Sequence, residues 1–288
     1  MREIDLAIIG HVSRNREITP LGERVIFDGG AYCAAVGASS VSKAVGLVTR
    51  VGPDFNLKAL TERHIDIEGT KVIPEGKTPF FTTQQNRDGT RTFIYSEMGL
   101  ASDVDTSIFP ESYDLTKYIY LATSPPQHHL EWINYLKSRS LVSGKMPDIA
   151  VNAFEKFVSD YPDETKNALL NSGLIFLNEE ELTMLRNYGG ISFTVPLILT
   201  KGGQGAVYID GSITITVPAP CVKVVDTTGA GDILAGVFLA LCAKNVPVEQ
   251  ALEKAVSVAS QSVTDFGVEH INPLPKEHII YEQNRASE

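Results

Sequence analysis

Residues Val224–Ala243 read VVDTTGAGDILAGVFLALCA. Within them, Asp226-Thr227-Thr228-Gly229-Ala230-Gly231-Asp232 runs straight into a strongly apolar, helix-like stretch. Glycines let a backbone turn tightly and let a ligand approach the peptide N–H groups. A helix starting at such a turn adds unpaired first-turn amides and the positive end of its dipole, so the segment suits an anion. A carboxylate at Asp232 is unfavourable there if it only faces the anion. It makes sense if it accepts the proton of a hydroxyl that attacks a phosphoryl group. Val224 and Val225 predict the end of a strand before this turn, and the competing reading is a plain strand–turn–helix with Asp232 as a capping residue. Two common phosphate patterns are absent: there is no G-x-x-x-x-G-K-[ST], and Leu234 stands where a dinucleotide fingerprint needs its third glycine.

Such a turn needs a scaffold, and the chain alternates strand-like and helix-like segments. Short apolar runs at Asp5–Gly10, Val45–Val51, Tyr118–Ala122, Ile149–Asn152, Leu174–Leu177 and Leu197–Thr200 predict strands. Helices are predicted over Ala31–Ala44, after Ser124-Pro125-Pro126 with Ser124 as cap, over Asp163–Leu170 and over Glu179–Asn187. Repeated βα units predict an α/β fold with a mostly parallel sheet and helices on both faces. Two stretches break the rhythm. Arg16–Phe27 is polar and extended, and Thr78–Glu97 is two alternating segments around Asn86-Arg87-Asp88-Gly89, a hairpin turn. They predict a small β-sheet lid from segments at about 12–28 and 78–97, beside the main body of one domain spanning 1–288.

With these pieces in order, the chain resembles the ribokinase-like (PfkB) carbohydrate kinases. DTTGAGD resembles that family's second signature. Asp28-Gly29-Gly30-Ala31 and Gly46–Asp54 resemble its early glycine-rich region and G-x-VG-x-D stretch. Asn178-Glu179-Glu180-Glu181 resembles its N-x-x-E motif, and Thr200–Gly205 its nucleotide-side turn. The likeness runs from about residue 4 to 270.

The resemblance implies a three-layer α/β/α sandwich with a β-sheet lid, and a kinase that moves the γ-phosphoryl of ATP to a hydroxyl of a sugar, cyclitol or nucleoside. It implies Asp232 as general base, with Gly229, Ala230 and Gly231 offering N–H groups to the transferring phosphoryl. Asn178 and Glu181 are implied to act on Mg²⁺ through water, and Thr200, Lys201, Gly202, Gly205 and Thr228 to line the nucleotide side. Asp226 is implied at a monovalent cation such as K⁺, and Asn15, Gly29 and Gly30 at the acceptor. Two positions depart from the family: Asn15 stands where many members carry Asp, and Ala34 where many carry Asn. These losses weaken any transfer of a particular sugar specificity; a sugar or cyclitol is slightly preferred over a nucleoside. Arg14, Gln85, Arg87 and Arg91 are further lid candidates for acceptor contact. The alternative is a non-catalytic binding protein on the same fold.

Composition narrows the partners. The formal charge of −10 over 288 residues disfavours nucleic acid and anionic membranes, which need a basic stripe. The three cysteines, Cys33, Cys221 and Cys242, form no C-x-x-C and read as free thiols of a cytoplasmic protein. The longest apolar run, Ile233–Ala243, is too short to span a bilayer. The partners expected are a small-molecule acceptor, a nucleotide and a second copy of the chain, paired through the lid.

Overall fold

The computed structural model describes residues 3–19, 22–85, 91–189 and 191–275. A nine-stranded sheet forms its centre. In chain order its strands are β1 (Leu6–Ile9), β4 (Val45–Val51), β5 (Thr70–Val72), β8 (Tyr118–Leu121), β9 (Asp148–Asn152), β10 (Leu174–Asn178), β11 (Leu197–Thr200), β12 (Ala206–Asp210) and β13 (Ile213–Val217). They lie side by side as β13-β12-β11-β10-β9-β8-β1-β4-β5. Every pairing is parallel except β11–β12 and β12–β13.

Side chains alternate between the faces with the period of two that a strand imposes. Leu6, Ile8, Leu47, Tyr120 and Phe176 pack on one face. There they meet α1 (Gly30–Ser39), α2 (Lys58–Thr61), α7 (Ala230–Cys242) and α8 (Val248–Ser262). Ala7, Ile9, Ile119, Val151 and Ile175 pack on the other, against α3 (Pro126–Ser143), α4 (Glu155–Asp160), α5 (Pro162–Leu170) and α6 (Glu179–Asn187). Covered on both faces, these strands must be apolar throughout, which is why they read as continuous runs. The result is the expected three-layer sandwich. Helix α7 is buried from Ile233 to Ala240 and lies against α1 so closely that backbones touch. A Cβ on Gly236 would run into the Ala34 carbonyl, and one on Gly37 would sit 2.7 Å from the Ile233 carbonyl oxygen.

The lid is a separate four-stranded sheet, ordered β3 (Gly22–Asp28), β2 (Ser13–Thr19), β6 (Phe80–Gln85), β7 (Arg91–Glu97). The first excursion is a hairpin, with Ser13 opposite Asp28 and Thr19 opposite Gly22, rather than one extended segment. β2 then pairs parallel with β6, which joins both excursions in one sheet. The expected turn Asn86–Gly89 lies outside the described residues.

Three local expectations are corrected. Helix α1 stops at Ser39, not Ala44, because Ser39 and Ser40 hydroxyls donate back to the Val36 and Gly37 carbonyls. Ser124 is not a cap: Pro125 occupies the cap position, with no side-chain bond there. Val224 and Val225 form no strand, since the Val225 N–H donates at 2.7 Å to the Val263 carbonyl just past α8.

Candidate active site

The turn before α7 is held from two sides. Asp226 is buried; its Oδ1 accepts the Thr228 N–H at 2.9 Å and its Oδ2 the Gly267 N–H at 3.4 Å. Gly229, the N-cap of α7, adopts φ 74°, a left-handed conformation in which a Cβ would collide with the Cys33 sulfur. Helix geometry leaves the Gly231 and Asp232 amides without intrahelical acceptors, and they point at whatever anion occupies the turn.

Asp232 stands in the first turn of α7, part-buried, at the edge of this anion site. Its Oδ1 accepts the Tyr120 hydroxyl at 2.8 Å and is 3.4 Å from the Asn152 amide nitrogen. Tyr120 ends up there because β8 is central, and Asn152 because it closes β9 beside it. Across the gap is Gly30; a Cβ built on it would lie 3.1 and 3.3 Å from the two Asp232 oxygens. Burial pushes the Asp232 carboxyl up to about 6, opposed by the Tyr120 hydrogen bond and assisted by the negative charge of Asp28. A base in that range is ionised at neutral pH yet binds a proton readily, as proton abstraction requires.

Two cavities meet at this point. One, of about 280 Å³, is lined by Thr200, Gly202 and Gly205 at its polar end and by Val222, Leu234 and Val256 at its apolar end. The other, of about 170 Å³, reaches Asp232, Glu181, Asn152 and Phe176. Asn178, Thr200 and Gly231 line both, so the two form one cleft. The apolar end suits a planar base, and the glycine-rich end suits phosphates. Thr228 and Lys201 stand apart from this lining: the Thr228 N–H serves Asp226, and the Lys201 ammonium is 3.3 Å from Glu179.

Asn178 and Glu181 form a capping box at the start of α6, where the Asn178 Oδ1 accepts the Glu181 N–H and Glu181 Oε2 the Asn178 N–H, both at 2.8 Å. The helix-start role that competes with a metal role is therefore real. It leaves Glu181 Oε1 outside the box, on a side chain that lines the cleft. Burial, with added repulsion from Glu155, Asp232 and Glu180, raises Glu181 to about 7. A lone oxygen ligand in a negative pocket fits Mg²⁺, which keeps most of its waters and binds phosphates. Among the described residues no group of three or more His, Cys, Asp or Glu could hold a metal by itself.

Toward the lid, Asn15 is buried and pinned: its Oδ1 accepts the Ser13 hydroxyl at 3.0 Å and its amide donates to Asp28 Oδ2. Asp28 Oδ1 accepts the Cys33 thiol at 3.2 Å. Burial pushes Asp28 up to about 6 and the Cys33 thiol well above its usual value, so Cys33 is a packing residue. Gly29 follows with φ 97°, pressed on His11 and Val12 backbone. Arg14 pairs with Asp54 at 2.8 Å, and its guanidinium lies 5.9 Å from the Phe80 ring. Arg87 and the side chains of Gln85 and Arg91 lie outside the described parts.

Sequence reasoning missed Tyr120, Asn152 and Asp28 as site residues. Tyr120 and Asn152 lie 112 and 80 positions from Asp232, and no local pattern marks them. Asp28 alone had a signal, its place beside the paired glycines.

Comparison with known proteins identifies the family. The profile of the pfkB family carbohydrate kinases matches residues 22–276. The chain belongs to that family. It is a phosphotransferase with an alcohol acceptor, a sugar or nucleoside kinase. The cytidine kinase of Thermococcus kodakarensis is 29% identical over 279 residues, covering 92% of this chain and 98% of that one. Among solved structures, the Cryptococcus neoformans ribokinase in complex with ADP superposes with a TM-score of 0.79 at 18% identity, covering 98% of this chain and all of that one. The Methanocaldococcus jannaschii nucleoside kinase gives 0.79 at 19%, covering 99% and 100%. At these identities the structural likeness speaks for the fold.

Proposed function

We propose that this family member transfers the γ-phosphoryl group of ATP to a hydroxyl of a nucleoside, with Asp232 as general base. The observation that carries the reading is Asp232 in the first turn of α7, lining the cleft with its carboxylate against Gly30. In the transfer, Asp232 takes the acceptor's proton while the acceptor oxygen bonds to the γ-phosphorus. The bond to the bridging β–γ oxygen breaks, and ADP leaves. The Gly229, Ala230 and Gly231 amides neutralise charge on the equatorial oxygens. Glu181 and Asn178 would hold Mg²⁺ through water, and the ion would supply further charge neutralisation on the phosphates. Asn15, Gly29 and Gly30 face the acceptor, and the lid sheet excludes water during transfer.

A nucleoside is favoured over the sugar or cyclitol that the residues alone suggested. The support is the full-length similarity to a protein named cytidine kinase and the aromatic groups Tyr120, Phe154 and Phe176 lining the cleft. Val25, Ile94 and Tyr95, exposed on the lid sheet, support pairing of two copies there; a monomeric mass by light scattering at micromolar protein overturns that part. The test of the function is MgATP-dependent phosphorylation of a panel of nucleosides, sugars and cyclitols, with Asp232→Asn as control. Phosphorylation of a nucleoside, lost in the variant, is expected. A sugar or cyclitol phosphorylated in preference moves the acceptor class, and equal turnover by the variant removes Asp232 from its role. Exchanging K⁺ for Na⁺ in the same assay reads the monovalent cation.

A further inference from the structure

The two oxygens of Asp232 sit in different surroundings. Oδ1 meets the protein, with the Tyr120 hydroxyl at 2.8 Å and the Asn152 amide nitrogen at 3.4 Å. The Asn152 amide is itself held at 2.8 Å by the Thr123 hydroxyl. The opposite orientation of Asn152 would set its carbonyl oxygen against the carboxylate, so the amide-inward placement is the electrostatically consistent one. Tyr120 is fully enclosed at 1% exposure and has no freedom to leave. These contacts do not involve Oδ2, and the space over Gly30, where a side chain is missing, adjoins both oxygens: a Cβ there would lie 3.1 Å from Oδ1 and 3.3 Å from Oδ2.

From this asymmetry we propose that Tyr120 and Asn152 are positioning residues that dedicate Asp232 Oδ1 to the protein and leave Oδ2 to take the proton of the acceptor hydroxyl. The inference rests on the kinase reading given above. A carboxylate free to rotate about its Cβ–Cγ bond would spend part of its time with neither oxygen aimed at the acceptor. Two donors on one oxygen remove that freedom and also favour the ionised form over the protonated one. The charged and titratable groups around Asp232 are Tyr120 on β8, Asp28 at the end of β3, Cys33 on α1 and Glu181 on α6. Of these, Tyr120 alone donates a hydrogen bond to it.

The test compares wild type, Tyr120→Phe and Asn152→Ala by steady-state kinetics across pH. In parallel, the Asp232 carboxyl is followed by ¹³C NMR, with its signal assigned by its loss in Asp232→Asn. The expected result for Tyr120→Phe is a kcat about tenfold lower with an acceptor KM near that of wild type. Its ascending pH limb and its NMR titration should both move to higher pH. Asn152→Ala should move both the same way by less, and it serves as the second probe if Tyr120→Phe does not fold. An unmoved titration of Asp232 in both variants overturns the proposal, as does a kcat within twofold of wild type with the limb in place. The NMR titration needs no turnover. A wild type that phosphorylates none of the acceptors therefore removes the proposed nucleoside acceptor while the positioning claim is still decided.

Discussion

Both faces of β1 and β4 are covered, and the residues they cover are almost wholly apolar. The lid sheet is built differently. Its covered residues include Ser13, Asn15, Glu17, Asp28, Thr82 and Thr83. Burying polar groups is costly unless they find hydrogen-bond partners; Ser13, Asn15, Asp28 and Cys33 form such a chain, while among the described residues the buried Thr83 hydroxyl finds none. The buried area of the central sheet therefore serves stability, while the smaller sheet keeps hydrogen-bonding groups in its interior. The contrast separates an apolar frame from a sheet with a polar interior.

The sharpest blow to the frame is Asp232→Asn, expected to lower kcat by about a hundredfold or more while the protein folds normally. With Asp232 intact, kcat/KM should rise with pH through a limb near 6, because the base must be ionised and burial holds it in that range. A limb near 4 would show that the carboxylate is solvated. Leu47→Ala, in the central sheet and fully buried, should cost about 2–5 kcal/mol in denaturant unfolding.

Asp28→Asn tests the lid's polar interior. Asp28 has a folded value of about 6 against an ordinary 3.8, so ionising it is harder in the folded protein. Wild type therefore loses stability as pH rises through about 4 to 6, and the variant is spared that loss. The variant's melting temperature relative to wild type should climb across this window by about 5 °C and level off above it, read by thermal denaturation at fixed ionic strength. Val25→Ala, on the exposed side of β3, should change unfolding free energy by less than about 0.5 kcal/mol. A larger cost in a concentration-dependent melt would mean that this side of the lid is covered by a second copy.

What could be read from the residues divides along the same line. β1, β4, β8, β9, β10 and β11 were legible because strands buried on both faces leave unbroken apolar runs. The DTTGAGD turn was legible because its glycines and carboxylate are contiguous. The hairpin of β12 and β13 and the short β5 were missed: their mixed burial gives no such run. A strand at Val224–Val225 was expected from two apolar residues, and two are too few to separate a strand from a loop resting on α8. In the site, Asp232 could be named but its partners could not. Tyr120 looks like any aromatic strand residue until β8 is set beside α7.

The glycine contact between α1 and α7 has a consequence for how this enzyme can diversify. Gly30 opens α1 and Asp232 lies in the first turn of α7, and where those helices cross, Gly37 and Gly236 leave no room for even a methyl group. The gap between Gly30 and Asp232 is thus one rigid gauge, set by the absence of side chains where α1 and α7 cross. Residues of the lid strands can then be exchanged without resetting that gap.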